Sequence, residues 1–428
     1  MNAHAHSVDV VVVGGGLGGL AAATYLGRDG RSVVLVEKAG VLGGRAATQA
    51  KNGFLFNYGP HALYRTGHGA KVLRELGIRW TGGVPPVSGG YALDEGRKHA
   101  LPGGFVSLLT TGLFGIAAKV EAARILASLP KLDATAWQGV PVRRFLDEHF
   151  RQDDVRRLFA ALFRLSTYAN DPERQSAGSA IEQLQLALAG GVEYLDGGWQ
   201  TLVEALRTAA IEVGVDVRTG AGAEAIEGDD GAPTVRLREG SVLRARTVVV
   251  AASPGVVDAL MGGRTALARD AVPVRAACLD VALSALPDPR ARFALGIDRP
   301  VYFSVHSAVA RLAPEGGAVI QLAKYLAADE SKTDERELEA VLDLVQPGWR
   351  SHLRERRFLP SMVVSNALVT AGAGGAAGRP GPEITRDVYA VGDWVGPDGL
   401  LVDASLASAR RAAALVERRL DARRVAAA

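Results

Sequence analysis

The chain has 428 residues, 48% of them apolar, and 49 basic against 46 acidic side chains leave a formal net charge of +3. That length suggests two domains or a nested pair with sizeable cores, and so small a charge, with no basic stripe and interleaved aromatics, argues against a nucleic-acid partner. The single cysteine, Cys278, excludes an internal disulfide framework and a cysteine-built metal site; no metal is expected, and a reducing, cytoplasmic setting fits.

Residues 1–7 form a short polar tail without the apolar centre of a signal peptide. His4 and His6 lie on it and read as part of a frayed end. Residues 8–13, Val-Asp-Val-Val-Val-Val, predict a buried parallel strand. Gly14-Gly15-Gly16-Leu17-Gly18-Gly19 follows, then a helix from Leu20 to about Arg28 and a strand over 32–36 that ends on Glu37, with Lys38 next and also expected at the cofactor. Gly14 permits the tight turn, Gly16 lets a pyrophosphate approach the backbone, and Gly19 lets the helix press on the sheet. The helix N-terminus offers N–H groups and partial positive charge to phosphate, with Leu17 in the turn among the expected cofactor-binding positions. A carboxylate at Glu37 accepts both hydroxyls of an adenosine ribose and repels a 2′-phosphate, which favours FAD or NAD over NADP.

Gly43-Gly44-Arg45 comes next. Adjacent glycines permit positive φ and close approach, and the arginine can fork onto phosphate or flavin oxygens. This sequence resembles the second signature of the flavin amine oxidase and phytoene desaturase superfamily. The resemblance implies a loop running over the pyrophosphate and flavin, with Arg45 near the cofactor, and FAD as that cofactor.

In the stretch 54–61, Gly59 and Pro60 make a turn that brings His61 toward the isoalloxazine ring, as a flavin-facing, substrate-facing or purely structural histidine. Asn57 stands where the family often has an acid. A helix over 71–76 ends at Gly77, and a short hairpin is expected over 91–97. The run 105–118 is largely apolar and too short to span a bilayer. It reads as a core helix, a cap over an apolar substrate, or a foot in a membrane interface. Residues 134–189 read as helical and resemble the family's helical substrate domain.

Tyr194-Leu195-Asp196-Gly197-Gly198-Trp199 resembles a further family signature, at the return to the FAD domain, with Thr201 as the expected N-cap of the next helix. Ala223 matches the family position whose main chain holds the adenine. A hairpin is expected around Glu239-Gly240, then a buried strand over 247–252. Stretches 275–286, 293–306, 318–323 and 362–367 predict strands of a mixed sheet, with Lys324 and Tyr325 closing the third. Arg275 falls roughly where amine oxidases carry a lysine beside the flavin, and arginine does not donate a proton easily. No Ser/His/Asp or Cys/His arrangement stands out for nucleophilic work.

Gly392-Asp393-Trp394 ends a strand. The family uses that aspartate on the ribityl chain and phosphate-side oxygens. Leu401 and Val402 lead into the last helix, whose N-terminus can offset negative charge at the flavin N1–C2 carbonyl. The family commonly ends this motif Ser-Gly, and here it is Ser408-Ala409.

The expected fold is α/β: a discontinuous Rossmann-type FAD-binding domain over 1–85, 195–270 and 380–428, with an inserted α+β substrate domain, mixed sheet plus helices, over 86–194 and 271–379. The resemblance implies a phytoene-desaturase-like FAD oxidoreductase moving a hydride from a hydrophobic substrate, such as a polyene or lipid, to flavin N5. Two alternatives stay open: a protoporphyrinogen-type or amine oxidase using oxygen, and a non-redox flavin-dependent isomerase or FAD-binding scaffold. The catalytic residues, the oligomeric state and any peripheral membrane contact are left undetermined by the sequence.

Overall fold

Two β-sheets organise the chain. The computed structural model describes residues 7–86, 88–103, 105–228 and 232–427. The tail bearing His4 and His6 lies outside the described residues.

Valine builds the first sheet. In Ser7–Val13, Val10 and Val12 pack on one face with Leu20, Leu26, Leu202, Leu206 and Leu406. Val11 and Val13 pack on the other with Val34, Val36, Val248 and Trp394. A strand covered on both faces needs no polar alternation, which accounts for the unbroken run. Ser7–Val13 pairs in parallel with Val33–Glu37 on one side and Val242–Val250 on the other. Asp216–Thr219 and Val388–Ala390 extend the parallel set. Thr234–Leu237, Ala223–Glu227 and Glu383–Thr385 join antiparallel. The sheet therefore draws strands from three separated stretches, 7–37, 216–250 and 383–390.

Helices Leu17–Arg28, Gln200–Glu212 and Leu401–Ala427 contribute to the core on the Val10 face. The first starts three residues earlier than expected because the second half of the glycine turn is already helical. Gly16 caps it with no side-chain hydrogen bond, so the first-turn N–H groups are left for an outside acceptor. Thr201 is not the N-cap of the second. That helix starts at Gln200, and Thr201 Oγ1 donates back to the Gly198 carbonyl at 2.7 Å.

The second sheet has seven strands in the order Leu353–Ser365, Val274–Leu283, Ala318–Tyr325, Val301–Val305, Phe293–Gly296, Tyr91–Asp94 and Arg97–Ala100. The last two are the expected hairpin. The single strand expected over 293–306 is two strands around a bend at 297–300, where Pro300 cannot donate to a ladder. Helices Val142–His149, Asp153–Thr167 and Ala177–Gly190 stand beside this sheet and share a core of Phe145, Phe159, Phe163 and Ile181.

The apolar run 105–118 is not one helix. It divides into Phe105–Thr110 and Ile116–Ser128. Leu108, Leu113, Phe114 and Ala118 join the helical core, while Val106, Leu109, Ile116 and Val120 are exposed. No described helix is long and apolar enough to cross a membrane.

Candidate cofactor and active site

The glycine turn meets three requirements at three positions. Gly14 has φ +108°, and a Cβ there would lie 2.5 Å from the Ala251 carbonyl oxygen. At Gly19 a Cβ would sit 1.9 Å from the Gly14 oxygen, so helix and strand close up only around glycine. Gly16 is different. Its Cβ would meet only the Gly43 oxygen at 3.8 Å, so no protein atom crowds the backbone there. Leu17 opens the helix and is buried.

Glu37 is tied to this turn. Its Oε2 accepts from Gly15 N and its Oε1 from Ala39 N, both at 2.8 Å. Lys38 beside it is exposed. The segment that leads into Ala223 runs alongside: Gly220 N donates to the Ala39 carbonyl at 2.8 Å and Ala221 N to the Glu37 carbonyl at 2.9 Å. Ala223, Glu37 and the glycine turn thus share one end of the first sheet.

The second glycine pair folds back over the same place. Gly43 N donates to the Gly15 carbonyl at 2.9 Å, and Gly43 and Gly44 take φ of +116° and +55°, which glycine tolerates. Arg45 Nη1 then donates to Asp393 Oδ2 at 2.7 Å and to the Val364 carbonyl at 2.6 Å. Asn366 donates to Asp393 through its backbone N at 3.1 Å and its Nδ2 at 2.9 Å. Burial acts to raise the Asp393 pKa, but the Arg45 guanidinium and the Asn366 donors outweigh it and hold the carboxyl below its ordinary value. Gly392 N donates to Ser408 Oγ at 3.1 Å, joining the last helix to this turn. Ala409, where the family commonly has glycine, is fully buried.

Leu401 opens the last helix with φ +55°, and Val402 packs against the first core. Asp403 Oδ1 accepts from Gly69 N at 2.6 Å, while its Oδ2 is buried without a partner. Burial pushes this carboxyl up to about 6.

The Gly59-Pro60-His61 turn is held from three sides. Gln321 Nε2 donates to the Gly59 carbonyl at 3.2 Å, Tyr168 Oη to the Pro60 carbonyl at 2.9 Å, and His61 Nδ1 lies 2.9 Å from the Gly59 oxygen. The His61 ring lies 4.8 Å from that of Trp199, whose Nε1 is buried and unpartnered. Burial pushes the imidazole down to about 4, so it is neutral near pH 7. Asn57 Oδ1 accepts from Trp199 N at 3.0 Å and Thr48 Oγ1 at 2.7 Å. The amide found in place of the usual acid therefore pins the Gly-Gly-Trp turn.

Two residues belong here that sequence reasoning passed over. Asn366 had no motif to mark it. Arg379 had the Arg-Pro-Gly turn: it is half-buried and donates to the Asp393 and Gly399 carbonyls at 2.8 and 2.7 Å. Burial lowers its pKa to about 10. Arg275 belongs elsewhere. It is exposed, at the wall of a cavity of about 230 Å³ shared with Ala169, Asn170, Val274, Leu326 and Leu368. A smaller cavity of about 20 Å³ touches Asp393 and Leu401 and shares Ala169, Val274 and Leu368 with the first.

Residues far apart in the chain thus converge on one elongated region running from Ala223 and Glu37 through Gly16 and Arg45 to Asp393, Leu401 and His61. An uncapped helix N-terminus and an uncrowded Gly16 are chemically suited to a dinucleotide. A family model described as flavin containing amine oxidoreductase matches residues 17–416. The chain belongs to that family. FAD is accordingly its cofactor.

Relatives of this flavin oxidoreductase include a 4,4'-diapolycopene oxygenase of Methylomonas, 27% identical over 56% of this chain and 54% of that protein. Another is a 4,4'-diapophytoene desaturase of Staphylococcus haemolyticus, 26% identical over 51% of this chain and 49% of that protein. The chain spans about half the length of these curated relatives. Among solved structures, an oxidoreductase from Methanosarcina mazei superposes with a TM-score of 0.75 at 18% identity, covering 94% of this chain and 99% of that one. Cyclohexylamine oxidase from Brevibacterium oxydans gives 0.69 at 18%, covering 97% and 99%. At those identities the likeness establishes the fold, an α/β FAD oxidoreductase architecture.

Proposed function

We propose that this oxidoreductase uses FAD to take a hydride from a hydrophobic substrate such as a polyene or other lipid. The observation that carries the reading is the wall beside the Gly59–His61 turn. Ala276, Cys278, Tyr302, Ala323 and Tyr325 are buried there, with Leu359, Met362 and Val364 packed against them. Such a surface suits an apolar chain. Lys324 on the same strands pairs with Glu330 and Glu337 at 3.0 and 2.9 Å, so it is committed to a structural role. The names of the carotenoid-type relatives point the same way.

In this reading Gly14, Gly16, Leu17 and Gly19 take the pyrophosphate, Glu37 the adenosine ribose beside Lys38, and the Ala223 main chain the adenine. Gly44, Arg45, Gly392 and Asp393 hold the phosphate side and ribityl chain, and Leu401, Val402 and the helix behind them face the flavin carbonyl. When bound, FAD supplies the hydride acceptor. Gly59, Pro60 and His61 then pose the reacting C–H bond and exclude water. Desaturation would also release a proton from the carbon next to the hydride donor, and His61, neutral with a depressed pKa, would take it only to pass it on to solvent. Residues 1–85, 195–270 and 380–428 form the FAD-binding domain and 86–194 and 271–379 the substrate domain.

Anaerobic addition of an acyclic carotene in micelles to the FAD-loaded protein should bleach the oxidised flavin spectrum. Peroxide release with a simple amine, or no lasting bleaching with any polyene, would replace this reading by amine oxidation or by non-redox use of FAD. We place the protein in the cytoplasm with a peripheral membrane contact through Val106, Leu109, Ile116 and Val120, which are 72%, 54%, 85% and 66% exposed. Lipid vesicles should co-sediment with the native protein and not with a variant carrying serine at all four; equal co-sedimentation removes the contact.

A further inference from the structure

A row of polar side chains crosses the second sheet on the face that meets the Gly59–His61 turn. Asp280 stands in register with Gln321 on one side and Arg357 on the other, and residues paired this way point to the same face. The Asp280 side chain is 0% exposed and that of Arg357 15%. Asp280 Oδ2 accepts from Arg357 Nε at 3.0 Å and from Nη2 at 2.5 Å. Two residues along each strand the same face carries Cys278, Ala323 and Leu359, part of the apolar wall. A hydrocarbon trio in place of the polar row would continue that wall, and replacing a buried ion pair in this way is often neutral or stabilising. Asp280 Oδ1 and Gln321 Oε1 are moreover buried without partners, at a cost of about 1–3 kcal/mol each. Stability alone therefore does not account for the row.

What the row supplies, and hydrocarbon cannot, is donors. Arg357 Nη2 donates to the Asn57 carbonyl. Its guanidinium carbon stands 5.5 Å from the centre of the Phe56 ring and 4.9 Å from that of Tyr58. One side chain thus engages three successive residues just ahead of the turn. Gln321 Nε2 donates to the Gly59 carbonyl at 3.2 Å. Residues 58–62 lie in neither helix nor strand, so their carbonyls depend on side chains for partners. The seat is tight: a Cβ at Gly59 would fall 2.7 Å from Met362 Sδ and 3.3 Å from Cys278 Sγ. Arg357 also reaches His61 electrostatically. Burial is the main cause of the low His61 pKa, and the Arg45 and Arg357 charges add to it.

A guanidinium is planar, and its donors point where its partner holds them. Asp280 is that partner, and it has no hydrogen bond of its own to the segment. We propose that Asp280 is a positioning residue: by fixing the Arg357 fork it sets, together with Gln321, where the segment 56–61 carries His61 relative to the bound flavin and the reacting carbon. This rests on the reading of the Gly59–His61 turn given above and adds residues that act through that turn.

The test uses the FAD-loaded full chain at pH 8, above the value of about 6 to which burial pushes the Asp280 carboxyl. The first readout is the visible circular dichroism of the bound flavin. His61→Ala should change it, because the turn lies against the ring. Asp280→Asn should change it too, with FAD still bound. Arg357→Lys keeps the charge and loses the fork, so it should act like Asp280→Asn. Glu337→Gln breaks the pair with Lys324, which points to the other face of Ala318–Tyr325, and should leave the spectrum native. The second readout is anaerobic flavin reduction by an acyclic carotene. Asp280→Asn should slow it about tenfold, with the half-saturating carotene concentration within about twofold of native. A native spectrum or native reduction rate in Asp280→Asn, or an equal spectral change in Glu337→Gln, overturns the proposal. Should Asp280→Asn fail to fold, Arg357→Lys decides by the same readouts. A native protein that takes up no FAD or is not reduced by the carotene, or a spectrum indifferent to His61→Ala, refutes the underlying reading instead, so the two failures are distinguishable.

Discussion

Alanine at Gly16 and alanine at Gly19 are nearly the same chemical change three residues apart, yet they should separate cofactor binding from folding. At Gly19 the new methyl would stand 1.9 Å from the Gly14 carbonyl oxygen and 3.1 Å from the Ala251 side chain. Both neighbours close the C-terminal ends of two paired central strands and cannot swing aside, so the helix must lift by roughly 1 Å or more. Overpacking of this kind costs about 1–3 kcal/mol, and rigid backbone puts Gly19→Ala near about 3 kcal/mol. Unfolding entropy of about 2.1 cal/mol/K per residue amounts to about 0.9 kcal/mol/K for 428 residues. The melting temperature should then drop by about 3 °C. At Gly16 the methyl would lie 3.8 Å from its one neighbour, and the residue's φ of −77° and ψ of 178° suit alanine. Only the weaker N-cap character of alanine counts, about 0.5 kcal/mol and under about 1 °C. That methyl occupies the approach of the pyrophosphate, so FAD affinity should fall about 100-fold, or about 2.7 kcal/mol. Scanning fluorimetry of the apoproteins and fluorescence titration with FAD measure both quantities. Native FAD affinity in Gly16→Ala, or native melting in Gly19→Ala, would refute the assignment of the turn.

Arg45→Gln should cost about 1–2 kcal/mol, because the Asp393 carboxylate, 1% exposed, loses a guanidinium that is itself 40% exposed and keeps only the Asn366 donors. The native Asp393 pKa is depressed, so its stabilising contribution is present above the unfolded value of 3.8 and is lost as pH falls through the lower folded value. Without Arg45 burial dominates and the folded pKa rises. Denaturant unfolding should then show the variant recovering relative to the native protein from about pH 8 to about pH 5; a constant difference would sink the idea. Asp403, raised to about 6, works in the opposite sense to native Asp393: its contribution is full below 3.8 and is lost as pH rises through about 6. Asp403→Asn keeps an acceptor for Gly69 N, so it should gain on the native protein between about pH 4 and about pH 6 and run parallel above. A pH-independent offset in the same unfolding series counts against it.

Much of the cofactor end was legible in residue order. Glycine spacing encodes backbone angles and closeness directly, and the acid after the second strand falls where strand length puts it. The motifs at Gly43–Arg45 and Gly392–Asp393 were readable for the same reason. Local boundaries were less secure. Thr201 looked like an N-cap, but the helix had already begun and its hydroxyl turned to Gly198. The apolar run 105–118 looked like one helix, yet it breaks at 111–115 so that one set of side chains enters the helical core and another faces out.

Residue order alone therefore determined the strand–turn–helix and its suitability for FAD or NAD, because those depend on backbone geometry within a few dozen residues, while FAD itself followed from the family resemblance. The tertiary structure decided which charges find partners. Arg45 meets Asp393 across 348 positions, while Arg275 stays exposed. Whether a charge is paired or solvated is set by what the rest of the chain folds against it, and the residue type is arginine in both cases.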